Sequence, residues 1–298
     1  MGVTISVIIT NYNYVDYVSV AINSVLPQLL GRDELIVVDD GSTDASLPVI
    51  ESHLQRSRFH LVHKANGGQA SAFNAGFDAA SCDLVWFLDA DDFLLPQALE
   101  TVRKSWIDPC VKLHAPMSVV DGSGAELGRT NPRKFSRMAA GNIRFSYLAL
   151  GAYSSPPTSG TVYKRSALKD IFPVPEAIYR ICADAYLKEH SAFLGQIIKI
   201  PRSLAAYRIH GENNFAEAKE LSPQAAEMAV ARLVSKYKFL LSKDTSKFTT
   251  FFRSISFVRS RHLRFLKRND ARNSERLFLD FFPLWTSPFV YKLQSLIV

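Results

Sequence analysis

Cysteine is scarce. Cys82, Cys110 and Cys182 are the three in 298 residues, and none stands in a C-x-x-C pair. That excludes a disulfide scaffold and argues against a structural zinc site. Reduced thiols in a cytosolic compartment fit this usage. Glycine and proline number only 14 each, which excludes a collagen-like or wholly disordered chain. No uninterrupted apolar run reaches the about 20 residues that a membrane-crossing helix needs. The apolar opening, Val3 to Thr10, has no basic residue before it and is too short for a secretory leader. The expected location is the cytoplasm, or the inner face of the membrane. Missing too is a G-x-G-x-x-G after the first strand-like run, which argues against a dinucleotide-binding domain.

What is present is enough apolar sequence for a large core. Hydrophobic residues make up 47% of the chain and charged residues 21%. One main domain of roughly 200 residues with an appendage is expected. The net charge of +7 is unevenly spread: residues 232–298 hold 14 Lys and Arg against 4 Asp and Glu, whereas residues 1–231 are net negative. A basic tail suggests an anionic partner, nucleic acid or anionic lipid.

The first hundred residues alternate in period. Ile5–Thr10, Glu34–Asp39, Phe59–His63 and Leu84–Leu88 read as strands; Tyr17–Leu30, Ser46–Leu54 and Ala70–Ala80 read as helices. Continuous apolar strands between helices mean a parallel sheet covered on both faces, a doubly wound α/β unit. Its ligands belong beyond the carboxyl ends of the strands. Further on, Lys112–Val120, Thr158–Tyr163, Gln196–Ile200 and Ser203–Ile209 read as strands and Ala183–Phe193 as a helix, with 129–157 loop-rich.

Polar residues gather at the strand ends. Asp89-Ala90-Asp91-Asp92 sets three carboxylates in four residues directly after a buried strand. Such a cluster is costly unless a cation neutralises it. Oxygen ligands suit Mg²⁺ or Mn²⁺ with a diphosphate completing the shell. The competing reading is an Asp-rich turn, with Asp92 capping the next helix. Asp39-Asp40-Gly41-Ser42-Thr43-Asp44 follows the second strand. Its leading carboxylates can accept from a base or a ribose, while Asp44 or Ser46 can cap the helix that follows. Asn66-Gly67-Gly68-Gln69, running on to Asn74 and Gly76, reads either as a backbone cradle for phosphate at a helix start or as a tight turn before a closely packed helix.

Taken in order, T-N-Y-N, V-D-D-G-S-T-D, N-G-G-Q-A-x-A-x-N-x-G and F-L-D-A-D-D resemble an inverting family 2 glycosyltransferase of the GT-A fold. The resemblance covers about residues 3–215. It implies a nucleotide-diphosphate sugar donor, a UDP-sugar first, and a divalent metal. By the resemblance, Thr10 and Tyr12 line the base pocket and Asp40 contacts the base with Asp39 beside it. Gly68, Gln69 and Asn74 lie on the donor side; Gln69 stands where a basic or polar donor contact is common. Asp89 and Asp91 match the D-x-D that binds metal and donor, with Ala90 between them and Asp92 extending it. Tyr207-Arg208-Ile209-His210-Gly211-Glu212-Asn213-Asn214 resembles the family's Y-R-x-H segment, whose His completes the metal shell. Neutral imidazole suits Mn²⁺ better than Mg²⁺. The bland alternative for His210 is a loop histidine. Asp184, before a helix, matches the general base of an inverting displacement. Ala183 departs from the commoner Glu-Asp pair, Glu176 is the nearest substitute, and N-capping is the rival role for Asp184.

This reading gives residues 1–100 as the donor half, 101–221 as the acceptor half and 222–298 as a basic, aromatic helical extension. The fold class is α/β, a GT-A-like doubly wound and mainly parallel sheet with an acceptor-side subdomain. The expected activity is transfer of a sugar to a saccharide or lipid-linked acceptor in cell-surface polysaccharide synthesis. Rivals are a nucleotidyltransferase on a similar sheet and a non-catalytic membrane-docking protein. The first wants a Gly-rich basic loop where Thr10 to Tyr14 stands; the second has no need of the acid set. In the extension, basic residues alternate with Phe and Leu, and Phe281 to Val298 carries only Lys292 as a charge. A membrane interface suits that pattern, and packing on the catalytic domain is the alternative. No nucleic-acid motif accompanies it.

Overall fold

This computed structural model describes residues 2–55, 57, 59–133, 138–150 and 153–211, with Arg232, Ser235 and Phe239 beyond them. Apart from those three positions, the extension 222–298 lies outside the described residues, as do Glu212, Asn213 and Asn214. The chain divides into two compact units, residues 1–147 with 152–228 and residues 148–151 with 229–298. The first carries every candidate site residue.

It opens with β1 (Ile5–Asn11), α1 (Val15–Val25), β2 (Glu34–Asp39), α2 (Ser46–Leu54), β3 (His60–His63), α3 (Gln69–Ala79) and β4 (Leu84–Asp89). These four strands are parallel. Successive strand residues point to opposite faces, and both faces are covered. Val7, Ile9, Val37 and Trp86 enter one core with Val18, Ile22 and Val25 of α1. Ile8, Ile36, Val38, Val85 and Phe87 enter the other with Phe73 and Phe77 of α3. Two covered faces are why the strands read as unbroken apolar runs. Gly76 sets how close α3 lies, because a Cβ there would stand 2.3 Å from Ile8 Cγ2.

The chain continues through β5 (Phe93–Leu94), α4 (Ala98–Ser105), β6 (Cys110–His114), β7 (Met117–Val120), β8 (Glu126–Asn131) and α5 (Arg144–Leu150). Then come β9 (Thr161–Lys164), α6 (Arg165–Leu168), α7 (Glu176–Tyr179), α8 (Ala183–Ser191), β10 (Gln196–Lys199) and β11 (Ala205–Arg208). The central sheet runs β10-β6-β9-β4-β1-β2-β3, and a smaller sheet runs β5-β11-β7-β8. In the central sheet β9 is antiparallel to both neighbours. The fold is thus the expected α/β with a parallel-rich central sheet, and the second sheet is additional to it.

Several local expectations change. The run Lys112–Val120 is not one strand: it breaks at Ala115-Pro116, and its halves join different sheets. Proline lacks the N–H that a ladder needs. The first helix ends at Val25 and tightens into a 3₁₀ turn, Leu26–Gln28, around Pro27. The stretch 129–157 holds the end of β8 and all of α5. Asp92 caps nothing, since the next helix starts only at Ala98. Asp44 does serve α2, accepting the Ser46 N–H at 2.9 Å, and it also accepts the Val15 N–H of α1 at 3.0 Å.

Candidate active site

Parallel pairing brings the motifs to one edge. Thr10 faces Asp89 across β1 and β4, and Asn11 faces Asp39 across β1 and β2. Adjacent strands lie about 4.8 Å apart, so three strand ends deliver polar groups to one short row. Tyr12 stands just beyond that row, 44% exposed.

The two leading aspartates of the second motif shape the loops there. Asp39 is fully buried and accepts Asn11 Nδ2 at 2.9 Å, Ser42 Oγ at 2.5 Å and Ser42 N–H at 3.1 Å. Asp40 accepts Lys64 Nζ at 2.7 Å, Gly67 N–H at 3.0 Å and Gly68 N–H at 2.7 Å. It therefore ties the end of β2 to the loop before α3. Gly68 has φ of 84°, and a Cβ on it would meet Arg180 O at 2.4 Å. Only glycine meets both demands.

At the end of β4, Ala90 N–H extends the ladder to Thr10 O at 3.2 Å. Asp91 and Asp92 are buried, and Asp89 is partly so. Burial, then the charges of Asp91 and Asp184, push Asp89 up to about 8 against hydrogen bonds from Thr158 and Gln69. Asp92 is raised by burial and then by the charges of Asp91 and Asp89. Both Asp92 oxygens serve the fold: one accepts Ser159 Oγ at 2.6 Å, the other Arg208 N–H at 3.0 Å. Ser159 Oγ also accepts Asp89 N–H at 3.1 Å. Arg208 Nε donates to Asp91 O at 2.8 Å. His210 Nε2 lies 3.1 Å from Asp91 Oδ2, its ring 4.9 Å from that of Tyr17 and edge-on to Tyr14.

These residues fit a divalent cation. Among the described residues no three His, Cys, Asp or Glu side chains converge into a complete cage. The Asp89 and Asp91 oxygens, with His210 Nε2 3.1 Å from Asp91 Oδ2, are donor types that Mg²⁺ or Mn²⁺ accepts, and a diphosphate would supply the rest of the shell. The crowding that lifts Asp89 marks a surplus of negative charge that such a cation removes.

Asp184 is the second residue of α8 and not its cap; that place belongs to Cys182, in a left-handed conformation with φ of 71°. Burial raises the Asp184 carboxyl, with Lys188 and Lys112 opposing. Its charge reaches Asp89, so the two carboxylates share one field. Asn74 stands apart from this group. It is buried, its Oδ1 accepts Val174 N–H at 2.7 Å, and its Nδ2 donates to Val174 O and Glu176 Oε1, both at 3.0 Å. It holds the lead into α7, and Glu176 is its partner there.

The Glycosyl transferase family 2 model matches residues 6–172. The chain belongs to the family 2 glycosyltransferases. An uncharacterized glycosyltransferase of Nostoc sp. (strain PCC 7120) is 38% identical over 241 residues, 78% of this chain and 74% of its own. Among solved structures, S. aureus TarS 1-349 in complex with UDP-GlcNAc superposes with a TM-score of 0.65 at 20% identity, covering 89% of this chain and 74% of TarS. The mannosyltransferase PcManGT of Pyrobaculum calidifontis, in complex with GDP-Man and Mn²⁺, gives 0.58 at 16% identity over 99% of this chain and 79% of its own. At those identities the likeness shows the GT-A fold.

Three residues of this glycosyltransferase site carry no role in the sequence reading. Ser159 joins the Asp89–Asp92 turn to the segment before β9. Arg208, buried, locks that turn from β11. Arg180 grips the loop before α3. Arg208 lies inside a recognised segment, yet nothing local marks what it or Arg180 touches. Ser159 has no signal at all, because its partner is 67 residues away.

Proposed function

We propose that this glycosyltransferase moves a sugar from a UDP-sugar to a saccharide or lipid-linked acceptor with inversion, assisted by Mn²⁺ or Mg²⁺. The observation that carries the reading is the gathering of Asp89, Asp91 and Asp184 at one edge of the parallel sheet, with His210 on Asp91. Asp89, Asp91 and His210 would hold the cation. When bound, it neutralises the diphosphate leaving group. Thr10, at the end of β1, and Tyr12 just beyond it line the base pocket, where Asp39 holds Asn11 between them and Asp40 holds the loop before α3. The backbone at Gly68 and Ala90 lies along the diphosphate and ribose, and Asp92 fixes the turn beneath. Asp184 takes the proton of the acceptor hydroxyl as that oxygen attacks the anomeric carbon from the face opposite the diphosphate. Burial raises its proton affinity, which makes it a stronger base toward that hydroxyl proton. TarS with UDP-GlcNAc and PcManGT with GDP-Man and Mn²⁺ support a nucleotide-sugar donor and a divalent metal.

The test is a panel of nucleotide sugars with and without Mn²⁺, scored by thermal shift and by donor hydrolysis. A ligand that binds only the native state raises its stability. One nucleotide sugar should stabilise the protein in a Mn²⁺-dependent way, and full activity in excess EDTA refutes the metal. For the basic extension we propose docking on anionic lipid at the inner membrane face, in polysaccharide synthesis. Removing 280–298 should lower binding to anionic liposomes and preserve nucleotide binding. Equal liposome binding by both forms rejects docking.

A further inference from the structure

Four hydrogen bonds tie the loop before α3 to the turn before α8. Gln69 N–H donates to Arg180 O at 2.7 Å, and Ala183 N–H donates to Gln69 Oε1 at 2.8 Å. The Arg180 guanidinium donates to Gly67 O at 3.1 Å and to Asn66 Oδ1 at 2.5 Å. Gly68 makes the approach possible, as its absent Cβ leaves room for Arg180 O.

Gln69 has a second end. Its Nε2 donates to Asp89 Oδ1 at 3.4 Å. A primary amide offers an acceptor and a donor on one rigid plane, and here they face opposite halves of the site. The acceptor end solves a problem at α8. The first N–H groups of a helix need an acceptor from outside it. Cys182, at the N-cap, makes no side-chain capping bond, and its carbonyl accepts Ala185 N–H at 3.1 Å. Gln69 caps α8 from 114 residues away, at Ala183, the residue next to Asp184.

We propose that Gln69 is a positioning residue whose amide sets the helix bearing Asp184 at a fixed reach from Asp89. The inference rests on the roles given to those two aspartates above. Misplacing a reacting group by about 1 Å can cost on the order of 100-fold in rate, so a strut between base and donor carboxylate has a purpose that neither half of the site serves alone. With Asp89 fixed in a ligand-bound site, the 3.4 Å end of this strut would tighten and α8 would be steadied with it.

The test is amide hydrogen exchange over residues 180–187, measured with and without Mn²⁺ and UDP, with calorimetric titration of UDP in Mn²⁺. Ligand-free Gln69→Leu should exchange there about three- to tenfold faster than wild type, the effect of one lost hydrogen bond. Gln69→Glu keeps an acceptor for Ala183 N–H but cannot donate to Asp89 as a carboxylate; its ligand-free exchange should return to near wild type. Mn²⁺ with UDP should slow exchange at 180–187 in wild type and in Arg180→Ala, which keeps Gln69. Neither Gln69 variant should show that slowing, even with UDP at saturation. Wild-type exchange in ligand-free Gln69→Leu, or ligand-induced slowing that survives in it, overturns the proposal. Should Gln69→Leu fail to fold, Gln69→Glu and Arg180→Ala decide it by the same slowing. If wild type binds no UDP with Mn²⁺, the donor reading falls, while the ligand-free comparison still decides whether Gln69 holds α8.

Discussion

Acidification should destabilise this protein through one buried histidine. His114 lies on β6, fully buried, with Nε2 2.8 Å from Ala139 O and Nδ1 3.3 Å from Ser155 Oγ. The first contact needs Nε2 to carry a proton, and in the neutral ring Nδ1 then accepts from Ser155 Oγ. Burial, then the neighbouring Lys112 ammonium, lower it from 6.5 to about 3. The unfolded chain therefore binds a proton below pH 6.5 that the folded protein refuses until about pH 3. Stability from this residue is present above 6.5 and is lost as pH falls through that window. At 1.36 kcal/mol per unit, the loss from about pH 7.5 to about pH 4.5 is about 2–3 kcal/mol. The assay is urea denaturation of wild type and His114→Gln at both pH values. Glutamine keeps a donor for Ala139 O and does not titrate. Wild type should lose about 2–3 kcal/mol more than the variant on acidification. Equal losses would falsify the argument and place the acid sensitivity elsewhere. The result bears on the site, because Lys112 donates to Tyr153 Oη and Ser155 Oγ, and Tyr153 Oη donates to Lys188 O on α8.

Asp91→Ala should abolish Mn²⁺-dependent nucleotide binding while leaving the fold intact, read by calorimetry beside circular dichroism; unchanged binding refutes a metal role for Asp91. Asp184→Asn should cut transfer by roughly 100-fold or more, the magnitude of general-base catalysis, with donor affinity barely altered; near wild-type transfer moves the base elsewhere, with Glu176 next to test. Gly76→Val should destabilise by about 1–3 kcal/mol, an overpacking cost, since its Cβ would meet Ile8 Cγ2 at 2.3 Å and Val38 Cγ2 at 3.2 Å; an unchanged urea midpoint shows that α3 can shift freely.

Much of the fold was legible because local and global signals agree in the first hundred residues. Glu34–Asp39 and Ser46–Leu54 match the expected bounds, and β1, β4 and α3 lie within a residue of theirs. Legibility weakens after β4. A two-residue strand such as β5 has no period to detect, and β7, β8 and β11 form a sheet that no local pattern announces. Pro116 was visible, but not that it sends β6 and β7 to different sheets.

The same division runs through the site. The order of the acidic and glycine-bearing motifs, each directly after a buried strand, gave the family and the edge where chemistry gathers. Parallel strands separated by helices admit no other place for those ends. Which partners several of these side chains take was set by contacts from far along the chain. Asp92 is an internal tie because Ser159 and Arg208 reach it, and Asn74 serves the lead into α7 because Val174 folds back on it. Gln69 spans the two halves because the Arg180–Ala183 turn packs on Gly68. Periodicity and motif spacing are properties of neighbours in sequence. Hydrogen bonds across 67 to 116 residues exist only once the sheet has set which loops lie side by side.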